Sequence, residues 1–161
     1  MIRYVYGNGR ILKRVAPLWR KLRAYHAVRA SAFAAEIAAA RFSSRAQALL
    51  KKAGEEGLRI DIACDSTHET DVGYCISSVN FNGQGEIDSL FVDRRYRGRN
   101  IGQALMHRAL AWLQKKRVRR IIVGVATGNE EVFGFYARFG FQPRATILAR
   151  PRFKRRKCDV R

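Results

Sequence analysis

A cluster of arginine and glycine residues stands where the chain passes from an apolar run into a predicted helix. Residues 94–102 read RRYRGRNIG, with four arginines and two glycines, and follow the apolar run 90–92. Guanidinium groups supply positive charge, glycines let the backbone approach a ligand, and a helix start leaves amide groups unbonded. Three interpretations are open: a solvated charge cluster, a nucleic-acid contact, or a cradle for a phosphorylated cofactor.

Two common phosphate-binding motifs are absent from the sequence. No G-x-x-x-x-G-K-[ST] occurs, which disfavours a P-loop nucleotide hydrolase, and no G-x-G-x-x-G follows a strand, which disfavours a Rossmann site. An arginine and glycine loop between a strand and a helix therefore indicates a pyrophosphate held by a different class of loop.

The spacing of apolar residues predicts the elements before this loop. A short strand is expected at Ile2–Tyr6, and the stretch from Leu18 to Phe42 is rich in helix formers with apolar residues at helical spacing. A second helix is expected from Ser44 to about Ala53. Three strands joined by polar turns, at 58–64, 72–79 and 86–92, then predict an antiparallel meander.

The elements after the loop alternate between helix and strand. We predict a helix from about Asn100 to Lys116, a strand at 120–127, a short helix at 129–140 and a last strand within 141–150. This order predicts an α/β (α+β) fold with a mixed, mostly antiparallel central sheet flanked by helices and with one crossover helix. A single domain over residues 1–149 and a basic C-terminal tail over 150–161 are expected.

Composition is consistent with one globular domain. The 161 residues are 47% apolar, enough for a sizeable core. No apolar run approaches the length of a membrane span, and no apolar signal segment opens the chain, so we expect a cytoplasmic protein without membrane association.

Cys64, Cys75 and Cys158 are odd in number and widely spaced, which indicates neither disulfides nor a metal site. Cys64 and Cys75 lie in predicted strands and are expected to be buried.

The net charge of +19 is unevenly distributed. Residues 1–52 carry +11, residues 94–120 carry +10 and the tail 150–161 carries +6, whereas residues 53–93 carry −8. A uniformly basic nucleic-acid coat would not contain such an acidic segment, so the strand-rich region is expected to differ electrostatically from its flanks.

Two stretches resemble the signatures of the GNAT acetyltransferase superfamily. Residues 97–102 resemble its motif A, R/Q-x-x-G-x-G/A, with Arg97 first and Gly102 last. Downstream, VATGNEEVFGFYARFGF resembles the second signature, and GEIDSLFV resembles the central strand, so the resemblance covers residues 71–149. Asn100 stands where glycine is usual, and asparagine is the non-glycine residue that best adopts left-handed backbone angles.

The resemblance implies direct transfer of an acetyl group from acetyl-CoA to an amine, without a covalent acetyl-enzyme and without a metal. The CoA pyrophosphate would rest on the loop amides, the pantetheine arm would pair with the 86–92 strand, and Asn129 would bind on the pantetheine or leaving-group side. The implied cofactor-binding residues are Leu90, Phe91, Val92, Arg97, Gly98, Arg99, Asn100, Ile101, Gly102 and Asn129.

The resemblance also implies catalytic residues. Glu86 aligns with a general-base glutamate of several family members, with Asp88 or a water chain as alternatives, and Tyr136 aligns with the usual general acid. His26 lies on the early helix that shapes the acceptor pocket in this family, where it either contacts the acceptor or simply packs.

The nature of the acceptor and of any partner stays open at this point. A small-molecule amine and a protein or peptide acceptor both fit, as do a monomer and a homodimer. The alternative function is a basic nucleic-acid-binding or ribosome-associated module on the same fold, in which the basic segments make weak nucleic-acid contacts. The sequence shows no helix-turn-helix, zinc finger or aromatic RNA-binding sheet motif.

Overall fold

Five strands form one sheet in the order β1-β2-β3-β4-β5. The computed structural model describes residues 1–151; residues 152–161 of the predicted basic tail, including Cys158, lie outside the described residues. The first four strands pair antiparallel, and β5 pairs parallel to β4 after a helical crossover. The strands are β1 Ile2–Gly7, β2 Leu58–Asp65, β3 Thr70–Val79, β4 Gly85–Val92 and β5 Ile121–Val123.

Helices cover both faces of this sheet. They are α1 Ala16–Ala27, α2 Ala34–Ala39, α3 Phe42–Ala53, α4 Ile101–Lys115 and α5 Phe133–Ala137. Short 3-10 segments precede or join them at Gly9–Val15, Ser31–Phe33, Arg94–Tyr96 and Glu130–Val132. The predicted fold class, a mixed and mostly antiparallel sheet flanked by helices, is confirmed. No helix within residues 1–151 is both long and apolar enough to cross a bilayer.

Alternation of side chains along the strands produces a separate core on each sheet face. On one face, Ile60, Ile62 and Ile76 pack with residues of α1 and α3 such as Leu18 and Leu49. On the other face, Cys75 and Ile87 meet the apolar stripe of α4, which consists of Ile101, Leu105, Met106, Ala109 and Leu113. Cys64 and Cys75 are buried free thiols, as expected.

The helical stretch predicted from Leu18 to Phe42 is interrupted. The first helix ends at Ala27, and Ser31, with a φ of 46°, turns the chain before the 3-10 segment and α2. A serine with positive φ cannot continue a right-handed helix, so the chain reverses direction here. The break lets α1 and α2 pack against each other.

The predicted C-terminal elements are shorter than expected. The strand predicted at 120–127 is confined to Ile121–Val123, and the helix predicted at 129–140 to a 3-10 turn and α5. The last strand predicted within 141–150 is wrong: these residues form no strand, and Ile147 and Leu148 are 91% and 92% exposed. Because β5 ends before Gly124, it is too short to offer residues 141–150 a long strand to pair with. Pro143 in addition has no amide hydrogen to donate.

A bulge and an early end to pairing shape β4. Ile76 of β3 lies opposite Ser89, whereas Ser77 lies opposite Ile87, so Asp88 is an additional residue in β4. On its other side β4 pairs with β5 only from Gly85 to Ile87. From Asp88 to Val92, β4 therefore has no strand neighbour on the β5 side, because β5 ends at Val123.

Candidate active site

A cleft of about 590 Å³ opens beside the unpaired end of β4. Three parts of the chain form its wall: the end of β4, the loop that leads into α4, and the segment before α5. Helix α1 closes it from one side. The lining residues are Leu22, Tyr25, Leu90, Phe91, Val92, Tyr96, Arg97, Gly98, Asn100, Ile101, Gly102, Gln103, Asn129, Glu131, Val132, Phe135 and Arg138.

The loop before α4 turns on two left-handed residues. Gly98 has a φ of 75°, and Asn100, directly before the helix, has φ 58° and ψ 11°. The left-handed conformation expected of Asn100 is thus observed. In the described part of the chain, no carbonyl is hydrogen-bonded to the amides of residues 98–103. Free amides at a helix N-terminus attract an anion.

Two buried carboxylates anchor this loop to the rest of the protein. Asp93 accepts a hydrogen bond from the amide of Arg95 at 3.1 Å and pairs with Lys21 of α1. Asp65, at the end of β2, accepts a hydrogen bond of 2.9 Å from the Tyr96 hydroxyl. The loop is therefore held on both sides before any ligand binds.

Both anchoring carboxylates are stabilised in the ionised form. Hydrogen bonds from His68 and from the amide of Thr67 hold the pKa of Asp65 well below its usual range. Burial by itself would raise the pKa of Asp93, but the hydrogen bonds from Lys21 and from the Arg95 amide together lower it. The two aspartates remain charged throughout the neutral range.

The two loop arginines differ in position. Arg97 lies in the cleft wall, where its Nε donates to the Val92 carbonyl at 3.1 Å and its guanidinium lies 5.5 Å from the Tyr25 ring centre. Arg99 is not part of the wall; its guanidinium lies 5.1 Å from the Tyr96 ring centre. Of the predicted cofactor-binding residues, Arg99 alone does not line the cleft.

Tyr25 bridges the two sides of the cleft. Its hydroxyl donates a hydrogen bond to Glu131, and its ring also stacks with the guanidinium of Arg29 at 3.6 Å. The hydrogen bond to Glu131 raises the pKa of Tyr25. The sequence alone did not reveal this pair, since Tyr25 and Glu131 are 106 residues apart.

A glycine brings the segment before α5 against the end of α1. Gly128 has a φ of 84°, and a Cβ atom there would lie 2.2 Å from the Arg29 carbonyl oxygen. The neighbouring Asn129 lines the cleft, and its Oδ1 is buried and has no hydrogen-bond partner within residues 1–151. This amide oxygen is therefore free to accept a hydrogen bond from a ligand.

Tyr136 lies beside the cleft rather than on its wall. Its ring packs against Phe135 at 5.3 Å and Phe141 at 6.0 Å between ring centres. Burial, with a smaller contribution from Cys75, raises the pKa of Tyr136, and burial likewise raises the pKa of Cys75 to about 12. The phenol therefore keeps its proton at neutral pH.

Glu86 and Asp88 lie together on the sheet face covered by α3, and neither lines the cleft. Lys52 approaches both carboxylates, at 2.5 Å from Glu86 and 2.7 Å from Asp88, and Arg45 lies 3.7 Å from Asp88. The Glu86 side chain is 24% exposed, whereas that of Asp88 is only 1% exposed. Water can reach Glu86 but not Asp88.

His26 is half-buried and lies outside the cleft wall. Burial, and to a lesser degree Arg29, lower its pKa, and its Nε2 has no hydrogen-bond partner within the described residues. The imidazole is therefore neutral at pH 7.

Beyond the predicted residues, the wall contains Leu22, Tyr25, Tyr96, Gln103, Glu131, Val132, Phe135 and Arg138.

The cleft thus combines an unpaired strand edge with a loop whose amides have no backbone partner within residues 1–151. The profile of the acetyltransferase (GNAT) family matches residues 63–141, from the end of β2 to the residues after α5. The chain belongs to this family, and its predicted membership is confirmed.

Individual relatives support this assignment. An uncharacterized N-acetyltransferase of Methanocaldococcus jannaschii is 36% identical over 87 residues, which cover 53% of this chain and 35% of that protein. The chain spans less than half the length of the curated relatives it matches, between 35% and 46%.

Solved structures share the fold. A candidate acetyl transferase from Pyrococcus furiosus superimposes with a TM-score of 0.71 at 21% identity, over 92% of this chain and 99% of that one. The aminoglycoside N-acetyltransferase AAC(6')-Iy, in complex with a CoA bisubstrate analogue, superimposes with a TM-score of 0.64 at 17% identity, over 95% and 99%.

Proposed function

We propose that this protein is an N-acetyltransferase that transfers the acetyl group of acetyl-CoA directly to an amine. The observation that carries the proposal is the open edge of β4 next to the loop of free amides. A pyrophosphate and an extended pantetheine arm need these two features side by side. The solved relative in complex with a CoA analogue supports the choice of donor.

The donor-binding residues follow from the cleft. The amides of residues 98–103 would donate hydrogen bonds to the pyrophosphate, with the charge of Arg97 nearby. The backbone of Leu90 and Val92 would pair with the pantetheine amides. Arg97 now donates to the Val92 carbonyl, so this side chain must turn toward the pyrophosphate when the donor binds. Asn129 Oδ1, unpartnered in the described chain, would accept a hydrogen bond from the pantetheine side.

The chemistry requires three further contributions from the protein. The attacking amine must be neutral, the carbonyl oxygen needs a hydrogen-bond donor as negative charge develops, and the departing thiolate needs a proton. In the reaction the amine nitrogen bonds to the acetyl carbon, the carbon–sulfur bond breaks, and the amine loses a proton. Unpaired amides of β4 would serve the developing oxyanion.

We assign the proton transfers to Glu86 and Tyr136. The side chain of Glu86 is accessible to water, so it would act as the base through water. Asp88 is the reserve base. Tyr136 retains its proton because burial raises its pKa, and it would protonate the thiolate.

The acceptor is proposed only as a class. A small-molecule amine and a peptide or protein amine both remain candidates, and curated relatives include a spermine/spermidine N(1)-acetyltransferase from Bacillus subtilis. A screen that measures acetyl-CoA consumption across small amines, amino acids, polyamines and peptide N-termini would identify it.

Calorimetric titration with acetyl-CoA tests the donor assignment. We expect wild type and Asn100→Gly to bind with affinities within about twofold, because glycine adopts the left-handed angles freely. Asn100→Val should bind at least about tenfold more weakly, because a β-branched residue is strained at positive φ. Absence of binding by the wild type, or unchanged affinity in Asn100→Val, would overturn the assignment.

A further inference from the structure

A second recess, of about 230 Å³, lies away from the cleft. It is formed by the second half of α4 and by β2, and its lining residues are Arg59, Arg108, Ala111, Trp112 and Lys115. The cleft, by contrast, uses the first turn of α4. At 1.5 Å per residue, Lys115 is about 20 Å along the helix from Ile101.

A buried carboxylate holds two of the recess arginines in fixed positions. Asp61 of β2 is completely buried and accepts hydrogen bonds from Arg59 Nε at 2.9 Å, Arg59 Nη2 at 3.0 Å and Arg108 Nε at 3.0 Å. Within residues 1–151, neither Nη atom of Arg108 has a hydrogen-bond partner, and its side chain is 33% exposed. A planar guanidinium held in this way is preorganised for a phosphate group.

Aromatic rings border the same arginines. The Tyr6 ring, on the outer strand β1, lies 3.9 Å from the guanidinium of Arg59, and Tyr6 is 64% exposed. Trp112 lines the recess, and the ammonium of Lys116 lies 5.7 Å from its ring centre. Cations next to aromatic rings, one of them exposed, are suited to a strand that carries phosphates and flat bases.

Most of the positive charge in the second half of α4 and in the segment after it has no carboxylate partner within the described residues. Residues 104–120 contain six basic side chains and no acidic one: Arg108, Lys115, Lys116, Arg117, Arg119 and Arg120. In the part of the chain that the structure describes, only Arg108 among them pairs with a carboxylate. The surface therefore presents surplus charge to a polyanion.

We propose that this surface, defined by Tyr6, Arg59, Arg108, Trp112 and Lys115, binds single-stranded nucleic acid. Arg108 and Lys115 contact phosphates, and the Tyr6 ring stacks with a base. The exposed ring of Tyr6 favours nucleic acid over an acidic protein segment, which would satisfy the charges but leave this ring unused. The proposal is independent of acetyl transfer, since the recess shares no lining residue with the cleft.

Fluorescence anisotropy with a labelled oligouridine of about 12 nucleotides tests the proposal, at about 50 and 200 mM salt. Wild type should bind at the lower salt and weaken steeply at the higher. Lys115→Glu should weaken binding about fivefold or more and lower the salt dependence by about one or two ions. Tyr6→Leu should weaken binding about fivefold with the salt dependence unchanged, because it removes stacking rather than charge.

Lys51→Glu is the matched control. Lys51 is exposed on α3, on the opposite face of the sheet, so this change should alter affinity by no more than about twofold. Lack of binding by the wild type at low salt would overturn the proposal, as would equal effects of Lys51→Glu and Lys115→Glu. Competition by polyglutamate as strong as by unlabelled oligouridine would instead identify an acidic protein as the occupant, and would also overturn it.

Acetyl-CoA titration of the same variants separates the two proposals. Lys115→Glu and Tyr6→Leu should bind acetyl-CoA as the wild type does, since neither residue touches the cleft. A protein that binds the oligonucleotide but not acetyl-CoA would refute the proposed function and leave this inference intact.

Discussion

The backbone conformations of two residues shape the loop before α4. Gly98 and Asn100 both have positive φ, and the amides of residues 98–103 have no backbone partner within residues 1–151. A side chain at either position is tolerated only if it accepts left-handed angles, which glycine and asparagine do. Asparagine at position 100 therefore holds a left-handed turn directly before α4.

Removal of one hydroxyl group tests the role of Tyr136. We expect Tyr136→Phe to lower kcat by about 100-fold and to leave acetyl-CoA affinity nearly unchanged, as loss of a general acid should. Steady-state kinetics with the acceptor found in the amine screen, together with calorimetry, would measure both.

Tyr6→Phe is the matched control for that variant. It removes a hydroxyl from an exposed ring on β1, and it should change neither kcat nor donor affinity. If Tyr136→Phe keeps the kcat of the wild type, Tyr136 is only a packing residue between Phe135 and Phe141.

At the scale of elements, contacts of α1 complete the cleft. The break after α1 ends the helix next to the segment that carries Asn129, and Gly128 allows the two to touch. Tyr25 and Lys21 then connect α1 with Glu131 on one side of the cleft and with Asp93 on the other. One helix thus fixes the distance between the loop before α4 and the segment before α5.

Addition of one methyl group at Gly128 tests its contact with the end of α1. Gly128→Ala should lower the free energy of unfolding by about 1–3 kcal/mol, because its Cβ meets a backbone carbonyl and its φ is positive. Urea unfolding would measure the change.

Gly134→Ala provides the comparison within the next helix. No atom lies within 4 Å of a Cβ placed at Gly134, so alanine in α5 should leave stability unchanged or raise it by up to about 1 kcal/mol. Equal stability of the two alanine variants would show that the close approach of Gly128 to Arg29 is relieved at no cost.

At the scale of the whole molecule, the uneven charge of the sequence becomes a set of ion pairs. Seven carboxylates of the acidic segment 53–93 pair with cationic groups, most of them contributed by the basic flanks; they are Glu55, Asp61, Asp65, Asp71, Glu86, Asp88 and Asp93. The acidic segment therefore forms no acidic surface of its own. Part of the surplus positive charge lies at the end of α4 and in the segment after it, where Lys115, Lys116, Arg117, Arg119 and Arg120 make no ion pair within residues 1–151.

The ionised aspartates make the stability of the fold depend on pH. Asp65 and Asp93 have pKa values in the folded protein below the value of about 3.9 expected when unfolded. Their contribution is therefore present above about pH 4 and is lost as the pH falls through the folded pKa. We expect Tm to change little from about pH 7 to 5 and to fall steeply below about pH 4, measured by scanning calorimetry.

Asp93→Asn should lower Tm at neutral pH and reduce the loss of Tm on acidification, since it removes the group that titrates. Glu69→Gln is the control, because Glu69 is exposed and makes no ion pair within residues 1–151. The same loss of Tm in Asp93→Asn as in the wild type would show that Asp93 contributes nothing to acid sensitivity.

Local patterns predicted most of the fold because apolar periodicity and turn residues act over short distances. The strands at 58–64, 72–79 and 86–92 and the helix after the arginine loop were found within one or two residues. The strand expected within 141–150 was wrong because a strand needs a partner, and local propensity does not show whether one is available. The break at Ser31 was missed for a similar reason, since its backbone angles depend on packing between helices.

In the candidate site, too, local features were predicted from the sequence and long-range contacts were not. The sequence by itself determined the loop, since the glycines, the asparagine and the arginines stand next to one another and their conformational preferences are local. Only the tertiary structure decided which side chains share the cleft: Tyr25 meets Glu131 from 106 residues away, whereas Glu86 turns to Lys52 on the other face of the sheet. Long-range pairs depend on how elements pack, and the physical information for that packing is spread over the whole chain.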